Sequence, residues 1–176
     1  ELAVLEEDPN ALVIRTSGVF GPELQGKNFV YQLGHNLLQG QNMQCATDAY
    51  GCPTYSRDLA ALTIGLLGAG VSGTFHCVGN LCLSRYEFAT RIATCWGLDI
   101  SCIEGKESRE IYLESLQKLG FAATRGKHFG LSISKLQGIL PEFQLRGIEE
   151  ALLDWKTNPM RQSTCLPLVD IITASI

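Results

Sequence analysis

The sequence predicts an α/β domain, and two observations carry the prediction. Ala11 to Ile14 is a short, apolar, partly β-branched run that breaks into Arg15-Thr16-Ser17-Gly18 and a Gly21-Pro22 turn. That is how a buried strand with a polar turn at its carboxyl end reads. Downstream, helical apolar spacing alternates with further short strand-like runs, as in α/β folds. Ligands of open α/β sheets sit just past the carboxyl ends of strands. The polar cluster after Ile14 is therefore the first candidate site.

Each element follows from local pattern. Asn28 to Gln39 carries Phe29, Val30, Leu33, Leu37 and Leu38 at helical spacing, with Asn28 as cap and Gly40 as stop. Gln41 to Ala46 suits a short strand. Thr47 to Arg57 reads as a loop, because Gly51 and Pro53 oppose regular structure. Asp58 is the expected cap of a helix to about Leu67, with Leu59, Leu62 and Leu66 facing inward. Gly73 to Val78 alternates like a strand. Ser84 and Glu87 have capping-box spacing for a helix whose stripe is Phe88, Ile92, Cys95 and Trp96, ended by Gly97. Glu107 to Leu119 is expected to be a polar-faced helix and Ala122 to Gly130 a loop. Leu145 to Trp155 is amphipathic. The tail from Asn158 is split by two prolines.

Composition narrows the function classes. The chain has 176 residues, 45% of them hydrophobic and 18% charged, enough for a sizeable single core. A net charge of −4 argues against nucleic-acid binding, which needs clustered Lys and Arg. No apolar run approaches the ~20 residues that span a bilayer, so no membrane partner is expected. Seven cysteines, at 45, 52, 77, 82, 95, 102 and 165, include no Cys-x-x-Cys pair. They read as buried free thiols suited to a reducing cytoplasm rather than as zinc ligands.

Several motifs fail on context. Gly68-Ala-Gly70-Val-Ser-Gly73 has the dinucleotide-fingerprint spacing, but a helix precedes it and a strand follows, the reverse of what a pyrophosphate cradle needs. No tyrosine is followed four residues later by lysine, and no Gly-x-Ser-x-Gly elbow is present. His76 reads as a core or edge residue and His35 as a surface one. Asp48 to Asp58 is dense in hydroxyls (Thr54, Tyr55, Ser56) and charge (Arg57, Asp58). Read from its residues, it suits a binding loop and a turn with a helix cap equally. Arg125 and Lys127 suit either a phosphate clamp or a solvated basic loop, the latter being the simpler reading.

Taken together, these segments resemble the C-terminal half of the dTDP-4-dehydrorhamnose reductase family, of the extended short-chain dehydrogenase type. The matching pieces come in family order: Ala11 to Ser17 with Val19-Phe20-Gly21, Gly26 to Phe29, Asp48-Ala-Tyr-Gly-Cys-Pro-Thr54 with Asp58-Leu-Ala60, Gly73 to His76, Ser84 to Ala89, and Arg125 with Leu131 and Ser134-Lys-Leu136. Gly18 stands where the family commonly has Trp, Gly126 replaces a Pro, and Ser132 replaces an Asp. The resemblance covers about residues 1–157, leaving 158–176 as a tail. It implies the C-terminal part of a Rossmann-like NAD(P)-binding fold with a small, mostly helical substrate-binding lobe.

It further implies an NAD(P)H-dependent reduction of a nucleotide-linked keto sugar in the cytoplasm. Thr16 and Ser17 would lie at the edge of the NADP or NAD cofactor, and Gly18, Thr54, Tyr55 and Arg125 on the nucleotide-sugar. The family's catalytic Tyr and Lys and its nucleotide-binding loop have no counterpart here. The chain is thus expected to be inactive alone, to bind no cofactor tightly, and to need an N-terminal half or a second copy. The family also includes the regulatory β subunit of methionine adenosyltransferase. The alternative is accordingly a non-catalytic subunit partnering that enzyme's catalytic subunit.

Overall fold

The computed structural model describes residues 1–121 and 126–159. Seven helices and nine short strands are found among them. Helix α1 is Leu2–Glu7, strand β1 is Leu12–Arg15 and β2 is Val19–Phe20. Helix α2 is Phe29–Leu38, and its cap is Asn28 as expected, accepting the Val30 and Tyr31 N–H groups. Strand β3 is Met43–Ala46.

The expected loop from Thr47 to Arg57 instead holds two strands of two residues each, β4 (Tyr50–Gly51) and β5 (Thr54–Tyr55), on either side of Pro53. Helix α3 is Ser56–Gly68. It starts two residues before the expected cap, so Asp58 lies inside its first turn. Asp58 does not cap because its carboxylate is engaged across the fold by Arg146. Strands β6 (Gly73–His76) and β7 (Leu83–Ser84) lead to α4, Arg85–Trp96. Both bonds of the Ser84–Glu87 capping box form, at 3.1 and 2.7 Å. Gly97 ends α4 at φ +69°, a left-handed conformation natural to glycine. A 3-10 turn and β8 (Ile103–Lys106) precede α5, Ser108–Leu119. Strand β9 is His128–Phe129, α6 is Ser134–Ile139, and α7 is Ile148–Thr157.

The sheet comes in pieces. β1 pairs in parallel with β6 (Leu12 opposite Gly73 through Arg15 opposite His76), β2 with β5, and β3 with β8. β4 is flanked by antiparallel β7 and parallel β9. Parallel pairs joined through helices are the α/β pattern expected.

Two apolar cores hold these pieces. Leu62 and Leu66 of α3 and Leu136 of α6 pack with Phe75 and Cys77 against the β1–β6 pair. The larger core lies among α2, α4, α7 and β3. Its centre is an edge-to-face aromatic chain in which Trp155 meets Tyr31 at 5.1 Å and Trp96 at 5.2 Å. Trp155 also corrects the sequence boundary. Its helix begins at Ile148, and Leu145 packs instead on the β1–β6 core.

Candidate functional site

The parallel strands β1 and β6 end side by side at Arg15 and His76. Their onward segments remain linked, since the Cys77 N–H donates to the Arg15 carbonyl at 2.9 Å. Thr16-Ser17-Gly18 turns the chain toward β2, with Gly18 at φ +54°. The Cys52-Pro53-Thr54 segment is inserted between this turn and Cys77-Val78-Gly79.

Thr54 joins all three. Its N–H donates to the Gly18 carbonyl at 3.2 Å. Its hydroxyl donates to the Ser17 carbonyl at 2.7 Å, with the Cys52 carbonyl at 3.1 Å, and accepts the Gly79 N–H at 3.3 Å. The approach of Gly79 is so close that a Cβ there would overlap the Pro53 carbonyl oxygen. Glycine is required by contact rather than by conformation.

This arrangement engages two of the expected site residues within the fold itself. Thr54 is 0% exposed, and its hydroxyl is taken up by backbone. In this arrangement it shapes the turn. Tyr55 is also buried, and its hydroxyl donates to the Asp154 carboxylate at 2.6 Å. Burial and then Asp154 push that phenol well above its ordinary pKa, so it holds its proton. Arg57 completes the cluster with a 2.8 Å ion pair to Asp154, whose carboxyl is held low first by the Tyr55 hydroxyl. Thr16 and Gly18 are exposed and Ser17 is half-buried. The structure thus brings Thr16, Ser17, Gly18 and Thr54 together and sets Tyr55 behind them. Arg125 lies outside the described residues.

A second wall comes from β4, β7 and β9. The His128 ring stacks on Tyr50 at 5.4 Å, and a Cβ on Gly51 would strike the Phe129 ring. Lys127, a candidate phosphate clamp, pairs with Asp48 at 2.6 Å. That carboxylate also accepts the Ser108 N–H and hydroxyl at 2.7 Å each, anchoring the start of α5. Lys127 and then Ser108 hold the Asp48 carboxyl well below the ordinary range. Sequence reasoning missed His128 and Gly79, since strands of two residues leave no periodicity to read. The density of polar groups in the segment was the available signal.

Among the described residues no strand–glycine turn–helix unit could cradle a dinucleotide diphosphate. Gly68 to Gly73 runs from α3 into β6, as its context foretold. No group of three or more His, Cys, Asp or Glu residues is placed to hold a metal, and no helix is long and apolar enough to cross a membrane, again among the described residues.

Residues 1–154 match the RmlD substrate binding domain. The chain belongs to that family. It is 28% identical over 166 residues to the probable low-salt glycan biosynthesis reductase Agl14 of Haloferax volcanii, covering 89% of this chain and 53% of the relative. It is 33% identical over 98 residues to the dTDP-4-dehydrorhamnose reductase of Aggregatibacter actinomycetemcomitans, covering 52% of this chain and 33% of the relative. The Bacillus anthracis dTDP-4-dehydrorhamnose reductase, solved in complex with NADP, superimposes with a TM-score of 0.68 at 26% identity, over 82% of this chain and 47% of that one. The chain spans about half the length, or less, of the relatives it matches. The family is one of nucleotide-sugar oxidoreductases, and the Bacillus anthracis reductase is solved with NADP, in accord with the resemblance drawn from the sequence.

Proposed function

We propose that this chain forms the sugar-nucleotide side of an NAD(P)H-dependent reductase of the dTDP-4-dehydrorhamnose type and is inactive by itself. The observation that carries this reading is the exposed Thr16–Gly18 turn at the carboxyl ends of parallel β1 and β6, held by the buried Thr54 hydroxyl. It lies inside the region that matches the family, residues 1–154.

A bound nicotinamide cofactor supplies the hydride in such chemistry. Thr16 and Ser17 are proposed to border it. This chain's own work is to shape the sugar side. Thr54 and Gly79 lock the turn, in which Gly18 stands where the family commonly has Trp. Arg125 is proposed as the charged partner of the nucleotide diphosphate.

The test joins this chain to the nucleotide-binding portion of a relative by co-expression. The chain alone should not oxidise NADPH in the presence of dTDP-4-dehydrorhamnose, and the assembled pair should. Steady sugar-dependent NADPH oxidation by the chain alone overturns the inactive reading. A stable pair that neither binds a dTDP-sugar nor turns over overturns the substrate assignment.

A further inference from the structure

Two cysteines left as separate free thiols by the sequence meet at the edge of the site. β4 and β7 pair antiparallel, with Tyr50 opposite Ser84 and Gly51 opposite Leu83. Continued one residue beyond the strands, this register sets Cys52 opposite Cys82. The Arg85 N–H donates to the Ala49 carbonyl at 3.2 Å, marking that pair as hydrogen-bonded. Such pairs alternate, which makes Cys52 and Cys82 a non-hydrogen-bonded pair, the kind in which Cα atoms approach to about 4.5 Å. That spacing lies within disulfide range.

An independent observation agrees. A Cβ on Gly130 would sit 3.1 Å from the Cys82 sulfur and 3.6 Å from the Cys52 sulfur. The sulfurs are separated by at most the sum of those distances, and Gly130 has no side chain to crowd them. Cys82 is exposed and Cys52 is buried, so one thiol is available to a reagent and the other waits behind it.

We propose that Cys52 and Cys82 are a redox-responsive pair that closes into a disulfide by exchange with a small-molecule disulfide, stapling the Gly51–Thr54 segment to β7. The Cys82 thiolate attacks one sulfur of glutathione disulfide. A Cys82–glutathione bond forms, and one glutathione leaves as thiolate. The Cys52 thiolate then attacks the Cys82 sulfur, and the second glutathione leaves. The two protons given up by the protein thiols go to the departing glutathiones, so the protein loses two electrons and glutathione disulfide gains them. Burial and then the Cys52 neighbour raise the Cys82 thiol, so exchange is slow near neutrality and accelerates toward alkaline pH. The bridge fixes the segment whose Thr54 holds the Ser17–Gly18 turn.

The test is mass spectrometry of the chain after incubation with glutathione disulfide, followed by denaturation and maleimide labelling. A Cys165→Ser background removes the cysteine outside the described residues. The parent should lose two labelling sites without gaining glutathione, and dithiothreitol should restore both. Cys52→Ser should trap one glutathione on Cys82, because the second nucleophile is missing. Cys82→Ser, a change at an exposed position, should keep all its remaining sites. A parent that stops at the glutathione adduct overturns the proposal, as does a Cys82→Ser variant that still loses two sites. Neither result depends on what the site binds.

Discussion

Replacing Thr54 by Val separates a shaping role from a binding role. Valine keeps the branched outline but removes a hydroxyl that donates to the Ser17 carbonyl at 2.7 Å and accepts the Gly79 N–H at 3.3 Å. Both backbone groups stay where they are, and Thr54 is 0% exposed, so water does not replace the hydroxyl. Leaving a buried partner unsatisfied costs about 1–3 kcal/mol, more than the ~1 kcal/mol net value of an ordinary bond. The short Ser17 bond dominates, giving an expected loss of about 2 kcal/mol. For a domain of this size each kcal/mol lowers Tm by roughly 2–4 °C, so the midpoint should fall by about 4–8 °C. Urea titration followed by fluorescence of the buried Trp96 and Trp155 reads the same loss as a lower midpoint at unchanged slope. Thr54→Ser should recover most of it. A Thr54→Val chain of parental stability, whose assembled form has lost only dTDP-sugar affinity, would mean that the hydroxyl faces the ligand and would refute the reasoning.

Asp58 is 2% exposed and accepts both the Arg146 N–H and its guanidinium. Asp58→Ala should cost about 2–3 kcal/mol by denaturation, less than the 3–5 of a fully buried pair because Arg146 still reaches water. Gly79→Ala drives a methyl into the Pro53 carbonyl, and an overpacking loss of roughly 1–3 kcal/mol should accompany distortion of the Thr16–Gly18 turn, visible as shifted amide resonances there. The Asp154 carboxyl is lowered by Tyr55 and then Arg57, so the unfolded chain binds its proton first as pH falls. The resulting stability is complete above the unfolded carboxyl pKa of about 3.9 and is lost below it. Asp154→Asn should therefore flatten the acid limb of a stability–pH curve between about pH 5 and 2, and an unchanged limb would show that the pair contributes nothing. Burial pushes the Cys45 thiol up to about 11, so native maleimide labelling at neutral pH should modify exposed Cys82 first and leave Cys45 until unfolding.

Elements governed by neighbours in sequence were legible from sequence. The Asn28 cap, the Ser84–Glu87 box and the Gly97 stop each satisfy backbone groups within a few residues, so local pattern suffices. The strands at β1 and β6 and the polar turn beyond β1 were legible too, because apolar runs and a turn of hydroxyls and glycine have local causes, whereas the parallel pairing of the two strands was not. Residues decided by contacts far along the chain were not. Thr54 and Tyr55 have the same local profile whether they face a ligand or a core. Ser17, 37 residues before Thr54, and Asp154, 99 residues after Tyr55, turn both inward. Asp58 has the sequence context of a cap, yet Arg146, 88 residues away, engages its carboxylate. Cys52 and Cys82 belong to different segments until the antiparallel pairing of β4 and β7 and the approach of Gly130 bring both sulfurs to one place. Local sequence determined which segments became helix or strand and where the polar turn fell. Tertiary structure alone decided which polar side chains that turn would expose, because burial is a property of what the rest of the chain brings to the same place.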